Sequence, residues 1–117
     1  MTHSATTTRL AAPTTIAADD NRLTLAATLA QRADLRYTPV GIAALECTLL
    51  HRSSQHEADG ERNVECELFA MAFGDVARSL SAVTVGSAIR CEGFLARRYR
   101  TGNAVALHIT RFTNEEN

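Results

Sequence analysis

The sequence predicts an all-β domain of five strands with one short helix between the third and fourth. Three observations carry that expectation. Apolar residues recur with period two in five separate stretches, the signature of half-buried strands. Polar segments carrying Gly or Pro separate most of these stretches. One window alone, Val76, Leu80 and Val83, has the spacing of a helix face.

The elements follow in order. In residues 1–20, Thr, Ser and Ala fill 12 of 20 positions, with one Pro and no aromatic. Such a segment buries too little apolar area to offset its ordering entropy, so a disordered tail is expected. A start placed upstream of the true one is the alternative. From Asn21 the pattern changes: Leu23, Leu25, Ala27 and Leu29 alternate with Arg22, Thr24, Ala26 and Thr28 in a first strand. Thr38-Pro39-Val40-Gly41 reads as a β-turn, since Pro presets φ at its second position and Gly closes the fourth. Leu45, Cys47 and Leu49 mark the second strand. Residues His56 to Arg62, polar and carrying Gly60, read as a loop. Val64, Cys66 and Leu68 open a third strand that becomes apolar on both faces through Phe73. Gly74 breaks it, and Asp75 is the expected cap of the short helix. Val85-Gly86 ends that element. Ile89, Cys91, Gly93 and Leu95 form a fourth strand, Thr101-Gly102-Asn103 a turn, and Val105, Leu107 and Ile109 a fifth strand. The domain is expected over 21–113, with 114–117 a short tail.

Three strands, a short helix and two strands is the element order of the OB-fold, a five-stranded Greek-key barrel. A plain five-stranded sandwich is the alternative on pattern alone.

Composition narrows the function. The chain has 117 residues, enough for one modest core. It contains no apolar run long enough to span a membrane and no secretory signal at its start, so a cytoplasmic location is expected. Cys47, Cys66 and Cys91 form no CxxC pair and are expected as small buried side chains rather than a disulfide framework. All twelve basic residues are Arg. Between Arg22 and Phe112 stand 11 Arg against 9 acids, a mildly basic body with acids Asp19, Asp20, Glu115 and Glu116 at its ends. His51, His56 and His108 have no partners at metal-ligand spacing, so neither metal nor cofactor is expected. Ser53, Ser54 and His51 lie close in sequence but lack an orienting partner, so no enzyme is expected.

Specific motifs add a resemblance. Asn21-Arg22-Leu23-Thr24-Leu25 and Leu35-Arg36-Tyr37-Thr38-Pro39-Val40-Gly41 resemble the opening of bacterial single-stranded DNA-binding proteins (SSB). Phe73-Gly74-Asp75-Val76-Ala77, Val85-Gly86-Ser87 and Glu92-Gly93-Phe94-Leu95 resemble that family's helix and fourth strand. A branch of it, the primosomal replication protein N (PriB) family, is more similar still, through Leu50-His51-Arg52-Ser53, Thr84-Val85-Gly86-Ser87 and a chain that stops just after strand five. The resemblance runs from Asn21 to about Phe112. It implies a homodimer of OB domains without catalytic activity or cofactor. It also implies binding to single-stranded DNA, to the PriA helicase at stalled forks and, in some bacteria, to a helicase-loader protein. SSB is a further partner of such a role in replication restart.

OB domains hold single strands with a basic groove and aromatic faces on which bases stack. Candidates fall at the expected places: Arg36 and Tyr37 in the first loop, with Arg32 beside them; Arg52 where strand two leaves the barrel; and Arg97, Arg98, Tyr99 and Arg100 in the loop between strands four and five. Arg52 also matches a DNA contact of the family. Arg62 closes the loop between strands two and three. The family places an aromatic on strand three, but here that place falls on Glu65 or Glu67, and Tyr37 stands where other members carry Lys. The expectation is therefore weak binding, shifted toward the loop at 97–100, with Glu65 and Glu67 offered to a basic partner protein. Two further readings remain: an SSB-like protein without the usual tail, and an OB-fold interaction module that has lost most DNA binding.

Overall fold

The computed structural model describes residues 12–115. A 3-10 turn, Ala18–Asp20, precedes six strands and one helix: β1 (Leu23–Arg32), β2 (Arg36–Tyr37), β3 (Ala43–Glu57), β4 (Gly60–Phe73), α1 (Asp75–Ser81), β5 (Ala88–Arg97) and β6 (Val105–Asn114). The five long strands close on themselves in the order β1, β5, β6, β4, β3, with β1 pairing β3 to complete the barrel. All pairings are antiparallel except β4 with β6. The expected OB-type barrel is thus present. The short β2, too brief to show a period, pairs Arg36 with Ala44 and Tyr37 with Ala43.

Alternation fills the core as the sequence implied. Leu29, Leu45, Leu49, Ile89, Leu107 and Cys91 point inward and are fully buried. Leu80 of α1 joins them, with Ala77 beside it. One strand face buried per residue pair removes apolar surface at roughly 25 cal/mol per Å², which is the main force holding such a barrel closed. β1 bends to serve two partners. Leu23 to Thr28 pair with β5, and Thr28 to Arg32 pair with β3 across an irregularity after Leu29. The Thr38–Gly41 turn forms with Gly41 N–H donating to Thr38 O at 2.8 Å. Gly41 itself has φ of 89°, a conformation that costs a residue with a Cβ.

Four expectations are corrected. His56 to Arg62 is not a loop: β3 and β4 continue to Glu57 and Gly60, in register throughout, around a two-residue turn at Ala58 and Asp59. Beyond the barrel both faces of this hairpin meet solvent, so polar residues replace the apolar alternation that would have marked a strand. Asp75 is not the cap of α1; Gly74 occupies that position, and Asp75 stands in the first turn with Arg78 at 3.3 Å. Arg97 is the last residue of β5, paired with Val105, rather than part of the loop. Cys66 is exposed, whereas Cys47 and Cys91 are buried. Desolvation pushes the Cys47 thiol up to about 12, with the nearby Cys91 adding to the effect, and desolvation also pushes Cys91 to about 11. Residues 1–11 and 116–117, within the expected tails, lie outside the described residues.

Candidate nucleic-acid interface

A groove of about 590 Å³ opens on the barrel beside the loop that joins β5 to β6. Arg32, Glu46, Thr48, Phe69, Val85 and Arg98 line it. Phe69 reaches it because β4 alternates: Ala70 and Ala72 point into the core, so Phe69, Met71 and Phe73 point outward with Glu65 and Glu67. The Arg98 guanidinium lies 3.6 Å from the centre of the Phe69 ring and 5.0 Å from that of Tyr99. Two aromatic rings therefore hold one cation at the groove's edge. Arg98 N–H also donates to Ala104 O at 2.8 Å, which closes the base of the loop. Gly102, with φ of 94°, lets the chain reverse there.

Phe69 is the residue that sequence reasoning missed. Sequence alone puts the family's aromatic place on this strand at Glu65 or Glu67, both exposed in the structure. An outward aromatic is present, two residues further along the same face. The signal lay in the alternation from Glu65 through Glu67 to Phe69. It was hidden because Leu68, Ala70 and Ala72 make the run apolar on both faces.

The arginines divide into classes. Arg36 faces Glu46 at 3.2 Å. Arg52 lies directly opposite Glu65 in the hairpin register and bonds its carboxylate at 3.0 Å. Arg62 faces Glu57 at 3.5 Å. Arg22, Arg78, Arg90 and Arg111 also stand within 4 Å of carboxylates, those of Asp19, Asp75, Glu115 and Glu92. Exposed pairs of this kind hold each other weakly, about 0–1 kcal/mol, yet they cancel the charge a phosphate would feel. Arg32, a sequence candidate for DNA, has another task. Its Nη1 donates to the carbonyls of Leu80, Ser81 and Val83, at the C-terminal end of α1. Among the described residues, Arg97, Arg98 and Arg100 are left without a carboxylate within 4 Å. Arg97 Nη1 instead donates to Arg100 O at 2.5 Å, which folds the loop over itself. The structure thus brings Arg98 onto Phe69, with Tyr99 on the other contact of the same cation, and ties Arg97 to Arg100 in the adjoining turn. Arg36 and Tyr37 sit apart on β2, and Arg52 sits apart on the hairpin, each cation offset by a carboxylate.

His51 has an orienting partner after all. Its Nδ1 donates to Ala26 O at 2.7 Å, and its Nε2 lies 2.8 Å from Ser53 Oγ. Gln55 Nε2 donates to the same hydroxyl at 3.0 Å. This polar chain pins the base of the hairpin to β1. Among the described residues, no group of three or more His, Cys, Asp or Glu is placed to hold a metal ion. No described helix is long and apolar enough to cross a membrane.

Comparison with known proteins places this geometry in a lineage. A family model described as another single-strand binding protein family matches residues 21–111. The replication restart protein PriB of Nitrosomonas europaea is 34% identical over 89 residues, 76% of this chain and 82% of that protein. This chain belongs to the PriB family. The solved structure of PriB from Ralstonia solanacearum superposes with a TM-score of 0.75 at 35% identity, covering 82% of this chain and 98% of that one. The single-stranded DNA binding protein of Thermus aquaticus gives 0.68 at 27% identity, covering 82% of this chain and half of that one. The barrel is therefore shared with that PriB structure along nearly its whole length.

Proposed function

We propose that the chain is a non-catalytic accessory protein of replication restart that binds single-stranded DNA at the β5–β6 loop. One observation carries the reading. Four described arginines lack a carboxylate within 4 Å; Arg32 is taken up by carbonyls at the end of α1, while Arg97 at the end of β5 and Arg98 and Arg100 in the loop lie together, and Arg98 stacks on Phe69 at the groove. Arg97, Arg98 and Arg100 would neutralise phosphates. Tyr99 and Phe69 would stack bases. The names of the relatives, replication restart proteins and a single-stranded DNA binding protein, support the same direction. Arg36, Tyr37 and Arg52 are secondary contacts, because Glu46 and Glu65 offset the two cations. Affinity is accordingly weak.

A fluorescence-anisotropy titration with short oligo-dT tests this. Changing Arg97, Arg98 and Arg100 to Ala together should weaken binding and flatten the salt dependence by about 0.7 per lost phosphate contact. Nanomolar affinity at physiological salt, untouched by those changes, would overturn the proposal.

The protein partners belong to the same proposal. PriA helicase, a helicase-loader and SSB are the expected associates, in the cytoplasm. The hairpin favours a basic partner surface: residues 51–67 hold two arginines against five carboxylates, Glu65 and Glu67 among them. Glu65→Lys with Glu67→Lys should weaken partner association and leave DNA binding equal or stronger. A homodimer fits the free edge of β1, since Leu23 to Ala27 pair with β5 on one side only among the described strands. Sedimentation of the protein alone, with labelled oligo-dT and with PriA reports stoichiometry and partner choice together.

A further inference from the structure

The outward face of the barrel carries a second group of rings that the groove does not use. On β5, Phe94 points out of the sheet and is 40% exposed. His108 on β6 lies directly across from it in the register. The two rings stack, with centroids 4.9 Å apart and planes 17° from parallel. Phe73 on β4, also 40% exposed, continues the row with its ring 5.9 Å from His108. Met71 of β4 faces His108 in the parallel ladder and is half-buried. Met71 lies two residues beyond Phe69 on the same outward face, so this row adjoins the groove with one pleat between them.

Exposed aromatic rings in a row have a physical cost in water that a stacking partner would remove. Charge decides the direction in which such a partner can lie. The hairpin end of the β3–β4 face holds its surplus of carboxylates, whereas Arg97 at the end of β5 and Arg98 and Arg100 in the loop gather three cations. Phosphates are thus attracted at the loop and repelled toward the hairpin. A strand seated on Phe69 and Arg98 avoids the hairpin by running over β6 to β5. Glu92, on the outward face of β5, is bonded by Arg111, and the N-terminal segment sets Asp20 and Arg22 in the pocket beside Phe94, one charge of each sign.

We propose that Phe94, His108 and Phe73 form a second base-stacking track that extends the single-stranded DNA site from the groove across β6 to β5. The proposal rests on the DNA-binding reading and adds an occupant to a surface that reading leaves bare. Phe94 is its distal end and so its best test. The track lengthens the site without adding phosphate contacts, so it acts on long strands and leaves the salt dependence alone.

The experiment is an anisotropy titration of the full chain with two oligo-dT lengths, about 6 and about 20 nucleotides, at the two ends of the range that OB domains occlude. Wild type, Phe94→Ala and Phe94→Leu are compared; the Leu variant keeps apolar volume and loses the flat ring, so it guards against loss of folding in the Ala variant. Both variants should leave the short oligonucleotide unaffected and weaken the long one by about five-fold or more, with an unchanged salt slope. Phe94→Tyr should restore the long-strand affinity. Equal losses at both lengths, or no loss on the long strand, overturn the proposal. So does a variant that binds long strands normally while sedimenting at half the wild-type mass, which would make this face a contact between copies. If wild type binds neither length, the DNA-binding reading itself fails and the track falls with it.

Discussion

Gly93 should be the least replaceable glycine in the barrel. It sits at the irregularity in the β5–β6 ladder, where Glu92 faces Arg111 but Gly93 faces Ile109. A Cβ built there would lie 1.9 Å from the carbonyl oxygen of His108 and 2.8 Å from its carbon. Carbon and oxygen do not approach so closely, so the β6 backbone would have to retreat by about 1 Å. That backbone is held on both sides, by β5 at Phe94 and by β4 at Met71. A flexible side chain could yield; a carbonyl fixed between two strands cannot. Overpacking of this kind costs about 3 kcal/mol, the upper part of the usual range. For a domain near 90 residues that corresponds to a fall of ~12–24 °C in melting temperature. Gly93→Ala followed by thermal circular dichroism and urea titration measures it. Gly60→Ala is the control: nothing lies within 4 Å of its added Cβ, and its φ is ordinary. That variant should melt within about 0.5 kcal/mol of wild type. A Gly93→Ala protein that melts beside the control would refute the close-approach argument.

Two other outcomes follow from the geometry. At pH 8 an aromatic disulfide reagent should titrate one thiol, Cys66, in the folded chain and three after denaturation, because burial holds Cys47 and Cys91 protonated. Their folded values lie above the unfolded one, so their contribution to stability is full below about pH 9 and is lost as pH rises through 11 and 12; above pH 9 each should steepen the urea-measured loss by up to about 1.4 kcal/mol per pH unit, and Cys47→Ala should halve that slope. In the hairpin, Ala58 and Asp59 have φ of 51° and 66°, the left-handed pair that a two-residue turn requires. Ala58→Asn with Asp59→Gly should therefore raise the urea midpoint, by ~1 kcal/mol in stability, while leaving the register of β3 and β4 unchanged in amide exchange.

Much of the barrel was legible because burial of one strand face imposes period two on the sequence. The first strand shows it plainly: Leu23, Leu25, Ala27 and Leu29 all turn inward. The turn at Thr38–Gly41 was equally legible, since Pro and Gly each fix a backbone angle. Legibility ended where the physical cause of the pattern ended. The outer half of the β3–β4 hairpin has no core to face, so no alternation marks it. Two-residue β2 is shorter than one period. Glycine at position 74 could cap α1 as readily as the aspartate after it, because the cap here makes no side-chain bond. At the candidate site, the β5–β6 loop was legible from its density of arginine. Phe69 was not, since an apolar run masks which face each residue takes.

Charge shows most clearly what register adds to sequence. Counting along the chain gives a mildly basic body between acidic ends. In three dimensions those ends fold back: Asp19 bonds Arg22, and Glu115 stands 3.9 Å from Arg90. Arg52 and Glu65 are 13 positions apart, and their pairing depends on a ladder that runs unbroken from Ala44 to Glu57. A slip of one residue would send Glu65 to the other face and leave Arg52 exposed to phosphate. The same ladder therefore pairs the Arg52 charge with Glu65 and leaves Arg97, Arg98 and Arg100 as the positive pole. The hairpin surplus is the negative pole. A nucleic-acid strand on this domain meets a field that is directional along the β3–β4 face, attractive at the loop and repulsive toward the hairpin tip. On the proposed reading its path follows the cations that lack carboxylate partners, and the rings at Phe69, Phe73 and His108 lie away from the hairpin carboxylates.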